Sequence, residues 1–388
     1  MKVVVSVDSF KGSLESIEAG EIIKQGILEE IEDAEIVVKP LADGGEGTVS
    51  ALVTGLKGKF IDVEVTGPIG EKVLAKYGVV GEKAIIEMAT SSGLTLVEKE
   101  KRNPMNTTTF GLGEIIKDAL NRGYREFIIG IGGSATNDIG LGMLTSLGYD
   151  FLDENGKKVG IYGKDLSRIF AIDDSKVDKR IKESSFEIAC DVDNPLFGPN
   201  GAASIYGPQK GATKEDIEKL DLWAIKFSGI IKEKYGLFYE NDKGVGAAGG
   251  LGYAFKTFLN GKLLRGVDII TEFLELEEDI KNSNLVITGE GQLDYQTMMG
   301  KAPSGVSKIA NKYKVPVIAI SGSLGKDVEK INEEGIDAYF SIIPYPVSLE
   351  KAMERDFTKK NLKDTIKQII RVYKIGKSAY KFKSIEKV

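Results

Sequence analysis

KVVVSVDSFKGSLESIEAGEIIKQGILEEIEDAEIVVKPLADGGEGT, residues 2–48, is the stretch on which the fold turns. It opens with an alternating β-branched run, Lys2–Val7, and turns through DSFKGS. Ile17, Ile22, Ile23, Ile27 and Leu28 then recur at the spacing of one helix face, which predicts a helix over residues 14–32. A second strand is predicted at 35–39 (EIVVK), followed by the loop LADGGEG and a helix from Thr48. Strand, helix, strand, helix with loops this short is the pattern of a parallel sheet covered by helices.

The same pattern returns at the far end of the chain. LVIT (285–288) precedes a glycine-rich loop and a helix near 304–313, VPVIAIS (315–321) precedes another, and AYFSII (338–343) precedes a last long helix at 360–373. Residues 61–284 read differently. Short alternating strands come first, at 61–65, 73–79 and 84–87, with a hairpin turn at GPIG, and mixed elements with several glycine loops follow. The expected fold class is α/β in two domains: a parallel-sheet domain built from residues 1–60 and 285–388, and an inserted second α/β domain at 61–284. A chain that crosses out and back makes a natural hinge, so the active site is expected in the inter-domain cleft. The Lys-rich end, KIGKSAYKFKSIEKV, reads as a solvated tail.

Composition narrows the chemistry. There is no histidine in 388 residues and one cysteine, Cys190. Imidazole-dependent hydrolysis and HExxH metal sites are thereby excluded, as is an internal disulfide. Proton transfer must fall to Asp, Glu, Lys, Tyr or water, and any metal must be held by oxygen, which favours Mg²⁺ or Ca²⁺ over zinc. A net charge of −6 argues against a nucleic-acid partner. No apolar run approaches the roughly 20 residues of a membrane span, and the first residues turn polar too soon for a secretory signal. A cytoplasmic protein, monomer or homodimer, is expected.

Glycine makes up about 12% of the chain, 46 residues, against a usual ~7%. It clusters in strand-end loops, where backbone N–H groups can approach an anion. VDSFKGS carries Asp8, Lys11 and Ser13, the last placed to cap a helix, and LADGGEGT carries Asp43 with Gly44 and Gly45. IIGIGGSATNDIGLG follows a strand and is expected to open a helix with Ser134, Thr136 and Asn137. It also matches G-x-G-x-x-A through Gly130, Gly132 and Ala135, with Asp150 about 20 residues on, so a dinucleotide site competes here. Against it, the loop comes late in the chain and Asp150 falls near the start of its strand.

ACDVDNPLFGPNGAASIYGPQKGA combines Asp191, Asp193 and Asn194 with Lys210, while Cys190 reads as core. GVGAAGGLG either approaches a ligand or packs tightly, and ITGEGQLDYQTMMGKAPSGV offers Glu290, Asp294 and Lys301. No Walker A motif occurs. Without His or a reactive Cys, phosphoryl transfer is the chemistry that asks least of side chains: positioned anion donors, Mg²⁺ and an oxygen nucleophile.

In order along the chain, DSFKGS, LADGGEGT, RNPMNTTTFGLGE, GIGGSATND, ACDVDNPL, IYGPQKGA, GAAGGLG, ITGEGQLDYQT with GKAPSGV, and VPVIAISGS resemble the bacterial glycerate kinase family, of the class II glycerate 2-kinase type. The resemblance runs from residue 1 to about 375. It implies a Rossmann-like domain with an inserted second domain. It also implies ATP- and Mg²⁺-dependent phosphorylation of D-glycerate, usually to 2-phosphoglycerate. Tyr206 departs from an expected phenylalanine, and Ile139 stands where glycine is common.

With that activity, residue type and loop position assign the site. Ser9, Lys11, Asp43, Gly44, Gly45, Gly132, Gly133 and Ser134 would hold the glycerate. Asp191 would be the base or a Mg²⁺ ligand, with Asp8 and Lys11 as further catalytic candidates. Gly289, Glu290, Asp294 and Lys301 would meet the nucleotide, Glu290 also the metal, and Lys210 would neutralise phosphate charge. A nicotinamide-dependent oxidoreductase and a non-catalytic metabolite-binding protein are the alternatives.

Overall fold

The protein is described by a computed structural model covering residues 1–10, 12–42, 47–295, 297 and 300–385, with side chains to residue 377. Lys11, Asp43, Gly44 and Gly45 lie outside the described residues. Strands are numbered in chain order: β1 (Lys2–Val7), β2 (Glu35–Val38), β3 (Lys59–Thr66), β4 (Lys72–Val80), β5 (Lys83–Glu87), β6 (Glu126–Gly130), β7 (Asp150–Leu152), β8 (Ala171–Asp173), β9 (Ser185–Ala189), β10 (Lys262–Leu264), β11 (Leu285–Leu293), β12 (Val317–Leu324) and β13 (Ala338–Ser341).

The chain forms two compact units, Met1–Asp43 with Ile270–Val388, and Gly44–Ile269. Both boundaries differ from the 60/61 and 284/285 expected. The helix Thr48–Gly55 joins the inserted unit because Val49 and Val53 fill the space beside β4 that Gly78 leaves open. At the other boundary, the helix Leu276–Lys281 buries Leu276 and Ile280 and packs on the helix Ala302–Lys312, while Asp279 pairs with Lys2 at 3.3 Å.

In the first unit the sheet runs β13-β12-β11-β1-β2, all parallel. Its interior strand β1, between β11 and β2, is covered on both faces, so Val3, Val4 and Val5 are all buried and the sequence reads as a continuous apolar run. Ile23 and Ile27 from the helix Ser16–Leu28 meet Leu362, Ile366 and Ile370 from the helix Arg355–Ile385 in one core. Three expectations are corrected here. The last helix begins at Arg355 and runs on to Ile385, beyond the 360–373 expected, while residues 374–377 of the expected solvated end are exposed. VPVIAIS leads to a short 3₁₀ turn, Val328–Asn332, in place of an α-helix. Ser13 caps nothing, since its hydroxyl bonds Thr358 Oγ1 at 2.6 Å.

The second unit holds a six-stranded sheet, β10-β9-β6-β5-β4-β3, parallel from β10 to β5 and antiparallel through β4 and β3. The hairpin stands where GPIG predicts it, closed by Gly67 N–H donating to Glu71 O at 2.6 Å. β7 and β8 form a separate two-stranded sheet. Ile86, Ile129 and Ile188 from the sheet pack with Leu112, Ile115 and Phe255 from helices. Parallel strands leave their chemistry at the carboxyl ends. In these units they are marked by Asp8 after β1 and the outer part of β11 from Glu290 in the first, and by the loop after Gly130 with Asp191 in the second. Among the described residues no helix is long and apolar enough to cross a membrane.

Candidate active site

At the carboxyl ends of β1 and β11 the first unit has a cavity of about 380 Å³, within the size range of ligand pockets. Ser9, Glu290, Asp294, Lys301 and Ser323 supply a polar wall, and Phe10, Ile342, Leu349, Ala352 and Met353 an apolar one. Lys301 sets its ammonium 3.8 Å from Glu290 and 3.9 Å from Asp294. It stands at the start of the helix Ala302–Lys312, where Pro303 fits because no N–H partner is needed. Asp294 in turn accepts the Thr297 N–H at 3.2 Å.

Asp8 lies one residue past the ladder that pairs Val7 with Gly289, its N–H donating to Gly289 O at 2.8 Å and its carboxylate accepting from Ser9 N–H at 2.6 Å. Glu290 follows Gly289 within β11, so the two carboxylates flank the point where the β1–β11 ladder ends, 7% and 8% exposed. Two residues back, Ser6 and Thr288 are register partners, both fully buried, with hydroxyls lacking a hydrogen-bond partner among the described residues. The structure thus brings Ser9, assigned from sequence to glycerate, together with Glu290, Asp294 and Lys301, assigned to the nucleotide. Gly289 is a correction: it is buried in the ladder, and a Cβ there would come within 2.0 Å of Ile320 O, so its role is close strand approach. Much of the apolar wall was not legible, because Leu349, Ala352 and Met353 come from a helix some 340 residues after Ser9.

In the second unit the loop from Gly130 does not open a helix directly; the next helix starts only at Leu141. Gly132 and Gly133 are exposed at its tip and Ser134 is buried. Gly133 O accepts from Leu94 N–H at 2.8 Å and Ser92 O from Ala135 N–H at 2.9 Å. The N–H groups of Gly132, Gly133 and Ser134 donate to nothing among the described residues, and such a turn is an anion-binding concavity. Behind it Asp138 is fully buried and accepts from Thr109 N–H (2.8 Å), Thr109 Oγ1 (2.7 Å), Gly140 N–H (3.2 Å) and Gly142 N–H (3.1 Å). Burial pushes its carboxyl up, against the pull of those four donors.

Lys210 is corrected in place and role. It is 2% exposed, and its ammonium donates to Ser134 Oγ and Thr136 O, each at 2.7 Å. It is not open to a phosphate. Burial pushes it down to about 7, while the Asp138 charge acts in the opposite sense. The GAAGGLG loop proves to be packing: Ala248, Gly249 and Gly250 all have positive φ, and a Cβ on Gly249 would come within 2.1 Å of Thr136 O.

Asp191 is exposed at the end of β9 and accepts the Gly266 N–H at 3.0 Å, which caps the helix Gly266–Phe273. Cys190, expected in the core, is partly buried and packs against it: burial pushes its thiol up to about 11, and Sγ faces Val192 O and Gly244 O. Tyr206, the departure from phenylalanine, donates its hydroxyl to Asn194 Oδ1 at 2.6 Å. Asp150 is tied to Lys158 and Lys176 on β7, outside the main sheet, with its carboxyl held below the usual range chiefly by the Lys158 hydrogen bond. A loop without an adjoining helix start, and an acid already paired elsewhere, do not make a dinucleotide site. Among the described residues no three acidic side chains cluster to hold a metal alone.

The sequence profile described as the glycerate kinase family matches residues 3–374. The chain is 48% identical over 355 residues to a glycerate kinase of Halalkalibacterium halodurans, covering 91% of this chain and 93% of that one. It is 46% identical over 354 residues to the glycerate 2-kinase of Escherichia coli K12, covering 91% and 93%. A crystal structure from Salmonella typhimurium LT2, described there as a candidate glycerate kinase 2, superposes with a TM-score of 0.90 at 43% identity, covering 97% of this chain and 99% of that one. With the profile spanning nearly its whole length, this chain belongs to the glycerate kinase family.

Proposed function

We propose that the protein is a kinase of the cytoplasm that transfers the γ-phosphoryl group of ATP to a hydroxyl of D-glycerate, giving 2-phosphoglycerate and ADP. The observation that carries the reading is the cavity of the first unit, where Glu290, Asp294 and Lys301 face an apolar wall. Glycerate is a small, wholly polar acid and needs no such wall. A nucleotide has a flat base for the Phe10, Ile342 and Met353 side and phosphates for the lysine.

The residues fit Mg²⁺, which takes one or two carboxylates and completes its shell with water and phosphate oxygens. Asp8 and Glu290 stand where the β1–β11 ladder ends, two residues beyond the buried hydroxyls of Ser6 and Thr288 that lack a partner among the described residues, an all-oxygen set in a chain without histidine. Bound there, the ion would supply neutralisation of the phosphate charge that grows in the transition state. Lys301 sits between two carboxylates in a way that lets it follow a γ-phosphate as a point charge.

The free N–H groups of Gly132, Gly133 and Ser134 suit the glycerate carboxylate. Lys11, Asp43, Gly44 and Gly45 remain assigned to the same substrate from the sequence. Asp191 accepts the proton as the glycerate oxygen bonds to phosphorus and the bond from phosphorus to the ADP oxygen breaks.

The test is incubation with Mg-ATP and D-glycerate, with the product identified by ³¹P NMR. A resonance of 2-phosphoglycerate is expected, and formation of the 3-phosphate or of no phosphoglycerate defeats the reading. In the same assay Asp191→Asn should turn over at least about a hundredfold more slowly, the usual worth of a positioned base. Near-normal turnover removes Asp191 from the role.

A further inference from the structure

Lys210 reaches Ser134 across 76 residues of sequence and ends with its ammonium buried behind an exposed glycine turn. Burying an ammonium costs several kcal/mol in an apolar setting, and an apolar side chain of similar length would fill the space without that cost. The charge therefore calls for an account. Its two acceptors bracket the turn from behind: Ser134 Oγ directly after Gly133, and Thr136 O two residues on. The lysine is delivered from a firm base. The 3₁₀ turn Pro208–Lys210 ends at Gly211 with φ +87°, where a Cβ would come within 2.1 Å of Arg102 O. Immediately after it, Thr213 and Asp216 form a reciprocal cap on the helix Lys214–Tyr235.

We propose that Lys210 is a positioning residue for glycerate: its buried ammonium fixes the Gly132–Ser134 turn and lends it positive charge, without touching the substrate. This rests on the reading that the turn takes the glycerate carboxylate. Two contributions are separable. As the ammonium loses its proton, the remaining N–H bonds can still hold Ser134 and Thr136, but the charge beside the turn is gone. Asp138 is the ionisable neighbour whose charge acts on Lys210. Arg102 donates from its guanidinium to Val97 O and Leu94 O, and Leu94 is the residue whose N–H meets Gly133 O.

The experiment is steady-state kinetics of Lys210→Met and Lys210→Gln, with Gly132→Val as the control that fills the turn's mouth. In the Lys210→Met protein the glycerate KM should rise at least about tenfold while the ATP KM stays within about twofold. Lys210→Gln, which keeps one donor and no charge, should fall between. The wild-type glycerate KM should rise as pH passes upward through about 7, and this dependence should vanish in Lys210→Met. Should Lys210→Met not fold, Ser134→Ala, which removes one of the two acceptors, decides by the same KM comparison. Unchanged KM values in the Lys210 variants beside a raised glycerate KM in Gly132→Val overturn the proposal and leave the turn as a glycerate site. An unchanged glycerate KM in Gly132→Val as well overturns both. A rise confined to the ATP KM also overturns the proposal, since the turn would then serve the nucleotide.

Discussion

Ile139 has a left-handed backbone, φ +51°, in a position where glycine carries no such strain. The conformation costs about 1–2 kcal/mol for a residue with a Cβ. Its side chain is 1% exposed, packs against Gly250 and belongs to the core of the second unit. Removing a buried isoleucine costs about 2–5 kcal/mol, so packing outweighs strain. Ile139→Gly should therefore lower stability by about 1–3 kcal/mol in urea denaturation, and a more stable variant would refute this weighing. At this scale the sequence offered residue types and little else. Asp138 and Lys210 were both in quoted motifs, yet nothing local distinguished a carboxylate gathering four donors from a metal ligand, or a buried strut from a phosphate-binding lysine. Burial decides between them, and it is not written in neighbouring residues.

The helix Arg355–Ile385 and the helix Ser16–Leu28 form the clearest case of partnership between elements. A Cβ on Gly26 would come within 2.4 Å of Ile366 Cγ2, so the two helices approach closely. Around that contact Glu18 meets Arg355 and Lys359, Glu29 meets Lys363 and Lys367, and Glu30 meets Arg371. The Lys363 and Lys367 ammoniums hold the Glu29 carboxyl down to about 2, from an ordinary 4.5. Arg371 lowers Glu30, and Lys359 with Arg355 lower Glu18 against the opposing effect of its burial. Carboxyls depressed in the folded state stabilise it above about pH 4.5, and that contribution is lost as pH falls toward 2. Amide exchange in residues 355–377 should accordingly speed up between pH 4.5 and 2.5, after correction for intrinsic rates, before β1 and β11 lose protection. A simultaneous loss would show that the seam contributes nothing of its own. Read alone, the Lys-rich end had the composition of a solvated tail. The helix that carries it is held through residues 355–371, whose acidic partners lie 334 and more residues earlier in the chain.

Across the whole molecule each unit has its own hydrophobic core and its own parallel strands with loops at their carboxyl ends. Ligands should therefore leave separate footprints. A non-hydrolysable ATP analogue should protect amides around 8–10, 290–294 and 349–358, and D-glycerate should protect those around 132–136. Exchanged footprints in hydrogen-exchange mass spectrometry would reverse the assignment of the two ligands. The βαβ pattern of both chain ends, the hairpin at GPIG, the absence of a Walker loop and the exclusion of imidazole chemistry were determined by sequence alone. They depend on local periodicity, on turn residues and on what the composition lacks. The cavity's apolar wall, the ladder role of Gly289, the packing of GAAGGLG and the burial of Lys210 were decided only by tertiary structure. Each arises where segments far apart in the chain are brought into contact, and no window of sequence contains both partners.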